Sequence, residues 1–294
     1  MNDEIEQFGK GAIIDTPDAR DYQISLGAVS VDFNQPFSLP EPPSFDQRGS
    51  DCCVSCAWSY FHWQVSGKVF SKRDLFCRIA LDYGAYIRDG GLALVKDGQA
   101  DNQEVPDPSD PTASNMRSTA GTKPEYRIDG KVYKSFVLPQ ADISGIAWAI
   151  KQYKGVVMGV YGTNAGWQNK ENPTPPSEHD TKWGHALYMF GYHSHNGEAC
   201  VIAKSSWSGS SVHHIKNTYF ITGNTFSAWT LVPIEEVSMT NSLIVKNGEE
   251  YGIYDPATSE DGLITLMRNR GMVVPLTPEG KLDWSKVVVS KNLV

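Results

Sequence analysis

The stretch FDQRGSDCCVSCAWSYFHW, residues 45–63, is the part of the chain from which the fold can be interpreted. It places three cysteines, Cys52, Cys53 and Cys56, within five positions and directly ahead of an aromatic-rich run. From residue 53 to residue 64 there is no glycine or proline, which predicts a buried helix that ends at Gly67. Three interpretations are open for the cysteines: a metal site, a set of disulfides, or one reactive thiolate.

The count and spacing of the cysteines argue against the first two interpretations. The chain has 294 residues and five cysteines, so disulfides would leave one thiol unpaired, and a core of this size needs no cross-links. Cys53 and Cys56 have the C-x-x-C spacing of zinc ligands, but a structural zinc needs a second ligand pair, which neither Cys77 nor nearby histidines supply. We therefore expect reduced thiols, no metal and no cofactor.

A reactive thiolate needs a lowered pKa, which a helix N-terminus and a nearby imidazole provide. Cys53 lies where the helix should begin. His185 opens the apolar run GHALYMFGY and follows a glycine that leaves space beside it. Four further histidines lie in polar segments, where surface turns are the expected structure: His193, His195, His213 and His214. His185 is therefore the predicted partner of the thiolate.

Composition excludes several classes of function. The net charge of -8 argues against a nucleic-acid-binding face. No stretch approaches the roughly 18 uninterrupted apolar residues of a membrane helix. The first residues are polar and acidic, unlike a signal peptide. We expect a cytoplasmic protein that binds neither nucleic acid nor membrane.

Patterns along the chain predict four parts. Residues 1–44 contain five prolines and are predicted to form an extended N-terminal arm. Helical patterns dominate residues 45–110, where Ser71 is the predicted N-cap of a second helix. Residues 111–240 hold one amphipathic helix and several β-runs, the last of them NTYFIT. Residues 241–294 are predicted to form a small C-terminal α/β module. A helical half followed by a β-rich half predicts an α+β fold with two lobes.

Several of these segments resemble the papain-like cysteine peptidases, particularly their bacterial and phage-encoded branch. DQRGSDCCV is similar to the family's Asp-Gln-Gly-x-x-Gly-Ser-Cys motif, GHALYMFGY to its Gly-His-Ala-Val-x-x-x-Gly-Tyr strand, and AKSSWSG to its Lys-Asn-Ser-Trp-Gly strand. Weaker similarity in DARDYQI, GAYIRDGGLALVKDG and GIAWAIKQYKGVVMGVYG keeps the family's order. The resemblance implies a papain-like two-lobe fold, with a helical lobe and an antiparallel β-barrel lobe.

The resemblance also implies catalytic roles. Cys53 would be the nucleophile and His185 the general base and acid. Ser205 stands where the family has the asparagine that orients the imidazole. Gln47 would donate its side-chain amide to the oxyanion hole, together with the Cys53 backbone N–H. Matching CVSCAW to the family's Cys-Gly-Ser-Cys-Trp-Ala instead selects Cys56 as nucleophile, and both assignments stay open.

Substrate-binding positions follow from the same matches. The main chain of Gly84 and Ala85 would pair with an extended peptide. Gly184 would leave room beside the imidazole, and Trp207 would shield it from water. Asp51 replaces a family glycine and would raise the pKa of a neighbouring thiol by repelling its thiolate.

The implied function is that of a cysteine endopeptidase, which hydrolyses peptide bonds of a protein or peptide substrate through a thioester intermediate. One alternative is a catalytically weak or inactive papain-fold protein with a structural or assembly role, for example of a phage particle, which would place it in the cytoplasm of the host cell or in the particle. In that case residues 241–294 would bind structural protein partners. A second alternative is a cell-wall peptide hydrolase that uses the same Cys–His chemistry.

Overall fold

The computed structural model describes residues 11–18, 21–24, 30–130, 132–139, 142–208, 212–233 and 276–281. The chain divides into two units, Met1–Val232 and Pro233–Val294. The predicted C-terminal module, residues 241–294, lies within the second unit, and apart from residues 276–281 it falls outside the described residues. The boundaries predicted for the arm, the two lobes and the module stay predictions.

The α-helices and strands of the described residues belong to the first unit, except that the last residue of the last strand, Pro233, is assigned to the second. In chain order they are β1 (Ala12–Ile13), β2 (Phe37–Ser38), α1 (Cys53–Ser66), α2 (Lys72–Ile79), β3 (Ala85–Tyr86), α3 (Ile87–Asp97), β4 (Gln99–Ala100), α4 (Ala113–Arg117), β5 (Arg127–Ile128), β6 (Tyr133–Leu138), α5 (Ile143–Tyr153), β7 (Val156–Gly162), β8 (Trp183–His195), β9 (Glu198–Lys204), β10 (Val212–Lys216), α6 (Asn217–Ile221) and β11 (Thr225–Pro233). Among the described residues, no helix is long and apolar enough to span a membrane.

Helix α1 begins at Cys53, as the sequence predicts. It ends where Gly67 adopts the left-handed conformation, with a φ of 75°, and donates its N–H to the carbonyl of Trp63. The Ser71 hydroxyl accepts the N–H of Asp74 and so caps α2. Trp58 of α1 is fully buried against Gly90 of α3, where an added Cβ would lie 2.3 Å from the indole. This glycine therefore allows α1 and α3 to pack closely.

Seven strands form the main sheet. Their order is β10-β9-β8-β7-β11-β6, and β2 also pairs with β8. The pairs β7–β8, β8–β9, β9–β10 and β7–β11 are antiparallel. Two hydrophobic cores meet at β8: Tyr188 and Phe190 join the core of α1–α3, whereas Leu187 and Met189 join the core of α5 and α6. Because alternate residues of β8 serve different cores, its sequence is continuously apolar.

The segment NTYFIT, predicted as a strand, forms the helix α6 instead. The N–H of Thr218 donates to Glu198 Oε1 at 2.9 Å, which satisfies a donor of the first helical turn. Tyr219 and Phe220 are both buried in the second core. The aromatic composition thus reflects burial by tertiary contacts, which override the intrinsic strand preference.

The predicted surface turns for four histidines are also wrong. His193 and His195 lie on β8, and His213 and His214 lie on β10. Neighbouring residues of a strand point to opposite faces. His213 is therefore fully buried, whereas His214 is partly exposed.

Candidate active site

The sulfur of Cys53 lies at the first residue of α1 and is fully buried. Burial raises the pKa of the Cys53 thiol to about 12, an effect that outweighs the backbone amides of Ala186 and Gly11 beside the sulfur. The neighbouring Cys52 and the charge of Asp51 raise the same pKa further, by less than burial does. A helix N-terminus favours a thiolate, but in this closed arrangement the sulfur remains protonated.

Strand β8 carries His185 directly before Ala186, whose amide lies at the Cys53 sulfur. The imidazole is fully buried and stacks on Trp207, with ring centroids 4.1 Å apart and an interplanar angle of 19°. Among the described residues, neither ring nitrogen has a hydrogen-bond partner. Burial, and then the nearby His213, hold the pKa of His185 well below its usual value. The imidazole of His185 is therefore neutral and forms no hydrogen bond with the Cys53 thiol.

Ser205 contacts a different imidazole from the one the resemblance implies. Its Oγ lies 2.7 Å from Nε2 of His213. Nδ1 of His213 contacts the carbonyl of Lys170, which assigns the ring hydrogen to Nδ1 and makes Nε2 the acceptor of the Ser205 hydroxyl. Burial lowers the pKa of His213 to about 4. Sequence reasoning missed His213, although its two-residue spacing from the apolar Ile215 indicates a shared inward face.

Gln47 is held by two bonds of its side chain and is fully buried. Nε2 donates to the carbonyl of Ser50 at 2.6 Å, and Oε1 accepts the hydroxyl of Ser206. The backbone N–H of Gln47 donates to the Ser206 carbonyl at 2.8 Å. The amide carries two hydrogens, and an oxyanion role requires the one that Ser50 does not use.

Cys56, the alternative nucleophile, lies one helical turn further along α1. Its sulfur is 3.6 Å from that of Cys52, and both residues are fully buried. Burial raises the pKa of Cys56 well above its ordinary value, and the contact with Cys52 raises it further. The charge of Lys72 lowers this pKa, and that of Asp107 raises it. Of the two sulfurs, that of Cys53 is the one that lies at a backbone amide of β8.

Asp51 forms an ion pair close to the thiol. Its carboxylate accepts the N–H of Gly84 at 2.6 Å and two bonds from Arg117, at 2.9 and 2.5 Å. The carboxylate of Asp51 is thus paired with the guanidinium of Arg117. It also holds Gly84, one of the predicted substrate-binding residues, in place.

Residues 11–16, here named the cleft segment, lie against the predicted substrate-binding positions. Strand β1 pairs in parallel with β3, and the N–H of Ala85 donates to the carbonyl of Gly11 at 2.8 Å. An added Cβ on Gly84 would lie 1.9 Å from the same carbonyl oxygen, and one on Gly184 would lie 2.5 Å from the carbonyl oxygen of Ala12. The segment therefore runs between these glycines and over the buried thiol of Cys53.

Asp15 anchors the other end of the cleft segment. Its carboxylate accepts the backbone N–H of Arg88, at 3.1 and 3.2 Å, and the indole N–H of Trp229, at 2.7 Å. Its own N–H donates to Ser227 Oγ at 2.9 Å. The Arg88 guanidinium in turn donates to the carbonyl of Thr16 at 2.5 Å. Charge-assisted bonds of this kind are stronger than neutral ones and fix the segment in register.

No protein-family model and no curated protein sequence matches the chain. Solved structures do. Xylellain, a cysteine protease from Xylella fastidiosa, is 19% identical with a TM-score of 0.62, over 79% of this chain and 98% of that one. The digestive procathepsin L2 of Tenebrio molitor larval midgut is 17% identical with a TM-score of 0.57, over 79% and 80% of the two chains. A cysteine protease of Carica candamarcensis in complex with E-64 is 16% identical with a TM-score of 0.52, over 67% and 98%.

These similarities confirm the predicted α+β fold, with its helices and large antiparallel sheet, as that of the papain-like cysteine proteases. The chain spans nearly the whole length of xylellain.

Proposed function

We propose that the chain is a cysteine peptidase of the papain type whose own cleft segment holds it in a latent form. The observation that carries the proposal is the path of residues 11–16. This stretch of main chain donates the Gly11 amide to the Cys53 thiol and pairs with Ala85, while the neighbouring strand supplies His185. A peptide that replaced the segment would meet the same thiol, imidazole and main-chain groups.

Displacing the segment changes the chemistry of the thiol. Burial is the largest cause of its high pKa, so exposure to solvent lowers that pKa, and the N-terminus of α1 then favours the thiolate. His185 takes the proton from Cys53, and the sulfur attacks the carbonyl carbon of the peptide bond. The backbone N–H of Cys53 and the amide of Gln47 are the proposed donors to the resulting oxyanion.

Collapse of this intermediate breaks the C–N bond. His185 returns its proton to the leaving amine, and the acyl group stays on Cys53 as a thioester. Water, deprotonated by His185, then attacks the thioester carbon. The carboxylic product leaves, and the proton on His185 returns to the sulfur. The reaction consumes one water and needs no cofactor.

Ser205 and His213 supply the orientation of the base in this proposal. The Ser205 hydroxyl donates a hydrogen bond to Nε2 of His213. The other ring nitrogen, Nδ1, donates to the carbonyl of Lys170. The Ser205 oxygen keeps acceptor capacity for an N–H of His185 once that imidazole turns toward the thiol. A serine supported by a buried histidine would thus take over the work of the family asparagine.

The substrate class is an extended polypeptide segment. The N-terminal end of the cleft segment is held by a main-chain bond, from the Ala85 N–H to the Gly11 carbonyl. Main-chain pairing gives affinity without selecting side chains, whereas pockets for alternate residues give specificity.

Hydrolysis of fluorogenic peptides by the Gly11→Ala chain tests the proposal, with Cys53→Ala and Cys77→Ala added separately. Cys77 is a partly exposed thiol on α2, remote from β8, and serves as the matched control. Activity should disappear with Cys53→Ala and survive Cys77→Ala. If Cys53 in the Gly11→Ala chain reacts with iodoacetamide but no peptide is cleaved, the peptidase proposal is wrong and only the masking of the thiol stands.

One observation favours a second candidate, a papain-fold protein that binds peptides without cleaving them. Neither nitrogen of the His185 ring is bonded to the thiol, and Ser205 is engaged by His213. Such a protein would bind peptides in the Gly11→Ala form, with equal affinity before and after Cys53→Ala. Stoichiometric peptide binding without turnover would favour this candidate over the enzyme.

A further inference from the structure

A cluster of three histidines lies outside the candidate active site. His193 and His195 are two residues apart near the end of β8, and His214 reaches them from β10, across the intervening β9. His214 lies on the opposite face of β10 from His213, because adjacent residues of a strand alternate. The cluster and the buried Ser205–His213 pair therefore occupy different faces.

The three imidazoles converge on one point. One ligand-type nitrogen from each lies within 4.8 Å of the other two. The ring centroids form a triangle with sides of 4.6, 5.5 and 5.8 Å. With Zn–N bonds of about 2.0–2.1 Å and tetrahedral angles, three ligating rings would have centroids about 5.2 Å apart. The observed triangle matches that separation closely enough for small side-chain rotations to complete it.

Two details concern His214. Its Nδ1 faces Nε2 of His193 at 2.5 Å, so this edge of the ring points into the cluster. Its Nε2 faces Oε1 of Glu171 at 3.9 Å, on the other edge. A ligating histidine ordinarily uses its second nitrogen on a carboxylate or carbonyl, which fixes the ring and raises its basicity. Glu171 lies where that outer partner belongs.

The cluster is open to an incoming ion. All three histidines are partly exposed, so an ion would enter without disturbing a core. Imidazole nitrogens suit zinc, copper and nickel, whereas magnesium and calcium prefer oxygen ligands. Three histidines leave a fourth position of a tetrahedral zinc to water.

We propose that His193, His195 and His214 form a surface site for a divalent transition metal, with zinc as the expected ion and Glu171 as the outer partner of His214. The ion would join β8 to β10 across β9. The sequence conceals the site because the third ligand comes from a strand that is not a hydrogen-bonded neighbour of the first, and because histidine spacing along one strand supplies only two ligands.

Zinc titration of the chelator-treated full chain tests the site, with a competing chromophoric chelator as readout. His195→Asn removes one ligand, next to a surface turn. Losing an outer partner weakens metal binding by about 10–100-fold, and losing this ligand should weaken zinc binding by more than that. Glu171→Gln should weaken it by about 10-fold. His179→Asn, an exposed histidine outside the cluster, is the matched control and should leave zinc affinity unchanged.

Thermal unfolding without zinc checks that each variant is folded. Zinc should raise the midpoint of the wild-type and His179→Asn chains but not that of His195→Asn. Equal zinc affinity in wild-type and His195→Asn chains would overturn the proposal. Zinc binding that is lost on Cys56→Ala and kept in His195→Asn would overturn it too, by assigning the ion to the cysteines of α1.

Discussion

Gly11→Ala is the sharpest perturbation of the cleft segment. The backbone of Gly11 is not in the left-handed region, so alanine can adopt it without strain. Its new Cβ, however, would lie 2.0 Å from the carbonyl oxygen of Asp51 and 2.7 Å from the carbonyl carbon. The obstacle is backbone, which cannot rotate away as a flexible side chain would. The segment itself has to move, by about 1.4 Å if an ordinary contact of 3.4 Å is to be restored.

The magnitude follows from what that movement breaks. The bond from the Ala85 N–H to the Gly11 carbonyl, 2.8 Å long, contributes about 1 kcal/mol. Forcing a methyl group into a packed contact costs about 1–3 kcal/mol more. Together these destabilise the closed form by about 2–4 kcal/mol. At 1.4 kcal/mol per tenfold, the open population should rise about 30- to 700-fold.

Alkylation of Cys53 measures that population, because a buried thiol reacts only from the open form. Iodoacetamide labelling with peptide-level mass spectrometry separates Cys53 from the other four cysteines. Gly49→Ala is the control, since an added Cβ there has nothing within 4 Å. Labelling of Cys53 should accelerate about 30-fold or more in Gly11→Ala and not at all in Gly49→Ala. Equal rates in the two variants would refute the inference that the segment covers the thiol.

Three further predictions concern the buried groups around the site. Because burial lowers the pKa of His185 and of His213, the unfolded chain takes up protons below pH 6.5 that the native chain does not. The unfolding free energy should therefore fall by up to about 1.4 kcal/mol per pH unit between pH 6.5 and about 4 through His213, and the burial of His185 adds a loss in the same direction, as measured by urea unfolding. Ser205→Ala leaves Nε2 of His213 without its hydrogen-bond donor and should lower the free energy of unfolding by about 1–3 kcal/mol. In the Gly11→Ala chain it should also lower kcat more than it raises KM. Asp51→Asn removes the charge paired with Arg117 and should destabilise the chain by about 1–3 kcal/mol in the same urea assay.

Each of these has its own control. His185→Gln should flatten the acid limb of the stability profile, and an unchanged slope would contradict the assignment of the proton uptake to His185. Ser59→Ala, a buried serine of α1 whose hydroxyl bonds to Ser55 and Gln99, should not reproduce the change in kcat if orientation of His185 is specific to Ser205. Asp110→Asn breaks an exposed pair and should shift stability by less than about 1 kcal/mol. An equal shift for Asp51→Asn would mean that its ion pair is no stronger than a surface pair.

Local signals were sufficient for the helical part of the fold. A run free of glycine and proline, followed by Gly67, predicted α1, and Ser71 predicted the cap of α2; the structure has both. These signals depend on residues within one or two turns of each other. The strands β7, β8 and β9 were likewise predicted from apolar runs, while the order in which they pair was not predicted.

Other features depend on contacts between distant residues and were not predictable locally. The helix α6 depends on a carboxylate from Glu198, and the burial of His213 depends on which face of β10 meets the core. The cleft segment is held at one end by main-chain atoms of Gly11 and Ala85, which carry no side-chain signal, and at the other end by the carboxylate of Asp15, whose partners are distant in sequence. Cys53 lies next to β8 and Cys56 one turn further along the helix, and the choice between them as nucleophile stays a prediction.

The cleft segment belongs to the same polypeptide as the thiol that it covers. A tethered peptide has an effective concentration near its site in the millimolar range when the connection is short. Even modest affinity therefore keeps the site closed, and a free peptide competes poorly while the tether is intact. A single cut on the C-terminal side of Asp15 would make the segment a separate molecule, which dilutes away at the concentrations of a cell. Hydrolysis of one peptide bond would thus replace the reversible opening and closing of the site with permanent opening.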